Sequence, residues 1–252
     1  MTAKAHLTDY SFGADSDSLF DRFHWLYALC REYLFRDDTD QITKALWPEL
    51  TPPAESQLLE IGCGPGFYSC RLATQFEQLQ VIGVDCSRQQ LRRAQLRAAE
   101  KGLSNCSFRL ADVLALAWPP NTFQSVVASR LFTILPQQQR GLGEMCRVLQ
   151  PGGRCFIAEP RSMLRAAVPL PIMWLLARLT GFCRESPHSY REPRRVAVMS
   201  DREFRTLITS QPWRSVRYWH DAWYQYALCE KGAATHSETA IENNNSRTRE
   251  LP

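Results

Sequence analysis

Apolar positions along the chain change their period near residue 55. Before that point, Leu19, Phe20, Phe23, Leu26, Tyr27, Cys30 and Leu34 recur at helical spacing and predict an amphipathic helix. A second helix is expected at roughly 38–50, stopped by the consecutive prolines Pro52 and Pro53. Beyond it, short apolar runs alternate with helical patterns. Residues 58–61 read as a buried strand, and Phe67, Cys70, Ala73 and Phe76 share one face of a helix. Residues 81–85 form a second strand. Ser87 with Gln90 is a capping-box signature for the next helix, and Gly102 marks its end. Further strands are expected at 107–113, 123–130 and 154–159. A helix at about 136–149 precedes the last of these and is closed by Pro151-Gly152-Gly153.

After residue 199 a second capping box, Ser200 with Glu203, opens a helix to Ser210. Two aromatic-rich strands follow at about 213–219 and 223–229, and these are expected to finish the sheet as an antiparallel edge. The alternation of strand and helix argues for an α/β fold, doubly wound around a mostly parallel sheet of seven strands. Ligands in such sheets bind outside the carboxyl ends of the strands. Glu60, Asp85, Asp112, Ser129, Arg130 and Glu159 all fall there.

The junction between the first strand and its helix carries Gly62, Gly64 and Gly66. Glycine has no Cβ, so this spacing permits left-handed backbone and close approach of a ligand. The helix start just beyond it favours a polar or partly anionic ligand. A dinucleotide fingerprint would need glycine where Phe67 stands, and no Gly-Lys-Ser/Thr follows for a P-loop. Asp85 ends the second strand 19 residues after Gly66, where a carboxylate can accept both ribose hydroxyls of an adenosine ligand.

Composition narrows the class. A chain of 252 residues suits one α/β domain with an added flap. Its 44% hydrophobic content can build one core, and a net charge of +4 does not by itself point to nucleic acid. Nine cysteines without a C-x-x-C pair suggest neither a disulfide framework nor a zinc site, so no metal is expected and reduced thiols point to a cytoplasmic protein. Residues 1–10 do not resemble a signal peptide, and no apolar run reaches the ~18 residues needed to span a bilayer.

Glu60-Ile61-Gly62-Cys63-Gly64-Pro65-Gly66, Val81 to Asp85, Ala111-Asp112-Val113 and Arg147-Val148-Leu149-Gln150-Pro151-Gly152-Gly153 stand in the order and spacing of the class I S-adenosylmethionine-dependent methyltransferases. The resemblance covers about residues 55–160 and is closest in kind to the small-molecule, quinone-biosynthesis-like branch. It implies the Rossmann-like fold of that family, with S-adenosylmethionine as methyl donor. Gly62, Cys63, Gly64 and Gly66 would face the methionine part, with Glu60 holding the turn or the amino group. Asp85 would bind the ribose, Cys86 would lie beside the adenine, and Asp112 with Val113 would read the adenine edge. Ser129 completes this set. Gln124 departs from a frequent Asp, and Leu131-Phe132-Thr133 from a frequent Leu-His-His.

The expected division is a helical cap at 1–54, the donor-binding domain at 55–230 with an insertion at 160–199, and a disordered tail at 231–252. Residues 166–177 are apolar, flanked by Arg165 and Arg178, and read as a buried helix, a lid over an apolar acceptor, or a peripheral membrane contact. Arg184, Arg191, Arg194 and Arg195 follow and suit an acidic or amphiphilic acceptor. The expected activity is methyl transfer to a small molecule by in-line displacement, with Tyr27, Arg130 and Glu159 on the acceptor side. His24 and His188 are further candidate bases. An RNA or protein methyltransferase, and a non-catalytic S-adenosylmethionine-binding protein, are the alternatives.

Overall fold

The computed structural model describes residues 37–49, 51–161 and 198–233. The chain runs α1 (Thr39–Leu46), β1 (Gln57–Ile61), α2 (Phe67–Gln75), β2 (Gln80–Asp85), α3 (Arg88–Glu100), β3 (Cys106–Leu110) and β4 (Phe123–Ser129). It continues with α4 (Gln138–Val148), β5 (Leu149–Pro160), α5 (Asp201–Ile208), β6 (Trp213–His220) and β7 (Tyr224–Lys231). Tyr27, His24, His188, the apolar run at 166–177 and the four arginines after it lie outside the described residues.

All seven strands form one sheet, in the order β3-β2-β1-β4-β5-β7-β6. β1 to β5 are parallel, and β7 and β6 add as antiparallel strands. The order reverses between β1 and β4, so a crevice for ligand opens there at the carboxyl ends. Alternation along the strands separates two cores. Leu59 and Ile61 of β1 join Val126 and Ala128 of β4 against Leu142 and Met145 of α4 and Phe204 of α5. Leu58 and Val127 face the other way, against Ile42 of α1, Phe67 and Leu72 of α2, and Tyr226 of β7.

Four boundaries differ from expectation, each for a local reason. α1 stops at Leu46 because Trp47 precedes Pro48, and the proline ring disfavours helical angles in the residue before it. β3 ends at Leu110, which leaves Asp112 in the following turn. Pro151-Gly152-Gly153 does not close α4. It lies inside β5 as an outward loop, since Phe123 pairs with Leu149 and Ser125 with Arg154. Lys231, expected to begin the tail, is the last residue of β7. Its Nζ reaches the carbonyls of Cys146, Arg147 and Leu149 at 2.7, 3.3 and 2.6 Å, and so covers the carboxyl end of α4.

Candidate functional site

Gly62, Gly64 and Gly66 have φ of +68°, +51° and +72°, the left-handed region that side chains rarely occupy. This curls the chain after β1 into a compact turn whose amides point inward. Cys63 N–H donates to Val84 O at 2.9 Å, Gly64 N–H to Asp85 Oδ2 at 2.8 Å, and Gly66 N–H to Cys63 O at 3.0 Å. Ser69, in the first turn of α2, donates its N–H to Glu60 Oε2 at 2.7 Å, and its hydroxyl bonds the same oxygen. Glu60 is buried, so a carboxylate already sits at the positive end of α2. The expected ligand at this helix start is polar or partly anionic; the amides of residues 63, 64, 66 and 69 are bonded within the protein and do not serve it.

Asp85 is the fulcrum of the turn. Its Oδ2 accepts from Gly64 and its Oδ1 from Ser87 N–H at 2.8 Å. A carboxylate has about four lone-pair sites, so these two bonds are compatible with accepting ribose hydroxyls. By taking the Ser87 amide, Asp85 also undoes half of the expected capping box. Ser87 Oγ accepts from Gln90 N–H at 3.2 Å, yet the Gln90 side chain is buried with neither Oε1 nor Nε2 bonded. Cys86 is exposed beside it. On the same side of the crevice, after β3, Asp112 Oδ1 accepts from Leu114 N–H at 2.8 Å, and Val113 is buried in the core. Cys63 is fully buried, which pushes its thiol well above its ordinary pKa. It is packing, not a nucleophile.

The far side of the crevice is built by β4, β5 and β7. Ser129 ends β4 with a buried hydroxyl that has no hydrogen-bond partner. Arg130 follows with φ of +61°, a strained angle for a side chain of this size, and its N–H is held by Ala158 O at 2.8 Å. Its Nη1 donates to Tyr224 Oη at 2.6 Å, and the guanidinium carbon lies 6.0 Å from that ring's centre. Glu159 has no exposed surface. It accepts from Phe132 N–H at 2.8 Å, Thr133 N–H at 3.2 Å and Thr133 Oγ1 at 2.6 Å, and burial raises its pKa despite these bonds. Glu159 thus fixes the loop in which this chain lacks the His-His pair. Gln124, the other departure, accepts from Gln57 N–H at 2.8 Å and ties β4 to the start of β1.

Sequence reasoning missed a tyrosine and carboxylate cluster on this side. Tyr226 Oη lies 3.0 Å from Asp38 Oδ1 and 3.1 Å from Asp221 Oδ2, and Tyr68 Oη lies 3.4 Å from Asp38 Oδ2. Tyr68 follows Gly66 by two residues and carried a local signal, its place in the first turn of α2. Tyr224 and Tyr226 are brought in by antiparallel pairing with β5, which local spacing does not encode.

Similarity to known proteins converges with this geometry. A family described as methyltransferase domain matches residues 54–216. The chain belongs to that family. The methyltransferase domain is 34% identical over 121 residues to the methyltransferase GfsG of Streptomyces halstedii, covering 48% of this chain and 43% of that protein. It is 32% identical over 157 residues to the demethylmenaquinone methyltransferase of Deinococcus radiodurans, covering 57% of this chain and 65% of that one. The chain spans about half the length of the curated relatives it matches. The solved structure of a SAM-dependent methyltransferase from Aquifex aeolicus shares the fold of the domain, with a TM-score of 0.57 and 18% identity over 82% of this chain and 97% of that one. No helix among the described residues is long and apolar enough to cross a membrane.

Proposed function

We propose that the chain transfers a methyl group from S-adenosylmethionine to a small acceptor. The observation that carries this reading is the polarity of the glycine turn. The Gly64 and Gly66 amides are engaged internally, and the Glu60 and Asp85 carboxylates put negative charge at the turn, which favours a cationic ligand over a phosphate. S-adenosylmethionine is such a ligand, with a sulfonium and an ammonium, and when bound it supplies an electrophilic methyl. The buried, unpartnered Ser129 hydroxyl fits the same reading, since a ligand's polar end supplies its missing partner.

The residues then divide by task. Glu60 positions the turn through Ser69. Gly62, Cys63, Gly64 and Gly66 line the methionine part, Asp85 holds the ribose, and Cys86, Asp112 and Val113 border the adenine. Arg130, braced by Tyr224, orients an acceptor from the opposite side. Glu159 acts through the loop at 131–133, and Tyr27 belongs to the acceptor side on sequence grounds alone. Holding the acceptor in line and excluding water contributes most of the rate, with alignment worth up to about 7–11 kcal/mol.

An apolar or amphiphilic acceptor fits the run at 166–177, a candidate membrane contact, and the relatives named for small-molecule methylation. The seven described cysteines are all thiols, which fits the cytoplasm. Incubation with methyl-labelled S-adenosylmethionine and a fractionated cell extract tests the reading. Label is expected in low-mass, organic-soluble products. Label confined to RNA or protein overturns the small-molecule assignment.

A further inference from the structure

Between β3 and β4 the loop 111–118 carries Asp112 and Val113, yet its main chain is held largely by side chains of α4. Glu144 Oε2 accepts from Leu116 N–H at 2.8 Å. Arg147 donates from Nη2 to Leu116 O at 2.9 Å and from Nη1 to Trp118 O at 2.8 Å. Arg140 Nε reaches Leu114 O at 3.1 Å. Glu144 and Arg147 are locked together by two parallel bonds, 2.7 Å from Nε to Oε1 and 2.8 Å from Nη2 to Oε2. Such a fork fixes orientation as well as distance. Its charges reinforce each other: the Arg147 bond and the Leu116 amide hold the Glu144 carboxyl below its usual range.

The remaining contact is apolar. A Cβ on Gly141 would stand 2.6 Å from Leu135 Cδ2 and 3.6 Å from Val113 Cγ2, so the bare backbone there makes room for that packing. Residues 140, 141, 144 and 147 lie along one face of α4, at the spacing of successive helical turns. That face grips the loop at 114, 116 and 118, immediately beyond Asp112.

We propose that Glu144 and Arg147 are positioning residues for adenine recognition: they set the height and angle at which Asp112 and the Val113 backbone meet the base edge. The inference rests on the donor assignment above. A clamp that served stability alone would lower the melting temperature without changing which base is preferred. The two roles separate in a ratio of affinities.

The test is calorimetric titration of the full chain with S-adenosylhomocysteine and with S-inosylhomocysteine, in which the exocyclic amine is replaced by oxygen. Wild type is expected to bind the adenine ligand at least ~10-fold more tightly, the scale of one lost hydrogen bond in a specific site. Arg147→Met and Glu144→Gln are expected to weaken the adenine ligand about 10-fold and bring the ratio towards one. Arg147→Lys, which keeps the charge but not the fork, should fail to restore it. Phe204→Leu, in the core contributed by α5, serves as a destabilised control that keeps the wild-type ratio. If Arg147→Met does not fold, Glu144→Gln and Arg147→Lys carry the measurement. An unchanged ratio in the folded variants, or no preference in wild type, overturns the inference while leaving the donor assignment intact. Failure of wild type to bind either ligand removes both.

Discussion

Gly66→Ala perturbs the turn at its tightest point. Gly66 caps α2 with φ of +72°, and a Cβ there would stand 2.8 Å from both Ala94 Cβ and Phe108 Cζ. The left-handed angle alone costs a side chain about 1–2 kcal/mol. Overpacking against α3 and β3 adds about 1–3 kcal/mol. Loss of glycine's freedom in the unfolded chain offsets about 0.4–1 kcal/mol. Gly102→Ala provides the control, because Gly102 has φ of +64° but nothing lies within 4 Å of the point where the new methyl would stand. The two variants share the angle and the unfolded-state offset, so their difference isolates packing at about 1–3 kcal/mol. For a domain of this size that corresponds to about 2–12 °C in melting temperature. Thermal unfolding followed by circular dichroism reads it directly. Equal melting temperatures for the two variants would refute the claim that α2, α3 and β3 close against the turn.

Other outcomes follow from single side chains. Gln90→Met replaces a buried amide without partners, whose desolvation costs about 1–3 kcal/mol, and should raise the urea midpoint; a lowered midpoint contradicts this. Lys231→Met strips the cation from the end of α4 and should destabilise by about 1.5–3 kcal/mol in the same assay, so a change under about 0.5 kcal/mol counts against the capping role. Glu144 ionises more readily folded than unfolded, chiefly through Arg147. Its contribution is fully present above the ordinary carboxylate value of about 4.3 and is lost as pH falls through the lower folded value. Scanning fluorimetry between about pH 3 and pH 7 should show a shallower acid loss in Glu144→Gln than in wild type, and parallel curves would contradict it.

The sheet was legible in the sequence because β1, β2 and β4 are short apolar runs ending in turn chemistry, as at Val81–Asp85. The candidate cofactor residues were placed for the same reason: Gly62, Gly64, Gly66, Asp85 and Asp112 sit at fixed offsets from strand ends. Direction of hydrogen bonding was not legible. The turn could point its amides towards a ligand or inwards, and only the partners of Cys63, Gly64 and Gly66, namely Val84, Asp85 and Cys63, decide it. The capping box at Ser87 and Gln90 misled in one half because Asp85, two residues earlier, competes for the same amide. The box at Ser200 and Glu203 has no such competitor and forms completely. On the far side of the crevice, Arg130 meets Tyr224 across 94 residues of sequence, through strand pairing that local patterns do not carry.

The central claim is that the turn after β1 and Asp85 form one wall of an S-adenosylmethionine site. Isothermal titration of the purified chain with S-adenosylhomocysteine tests it most directly. Saturable single-site binding by wild type, weakened at least ~10-fold in Asp85→Ala by loss of the ribose contacts, is the expected result. Absence of binding by wild type at about millimolar ligand, or equal affinity in Asp85→Ala, would contradict it.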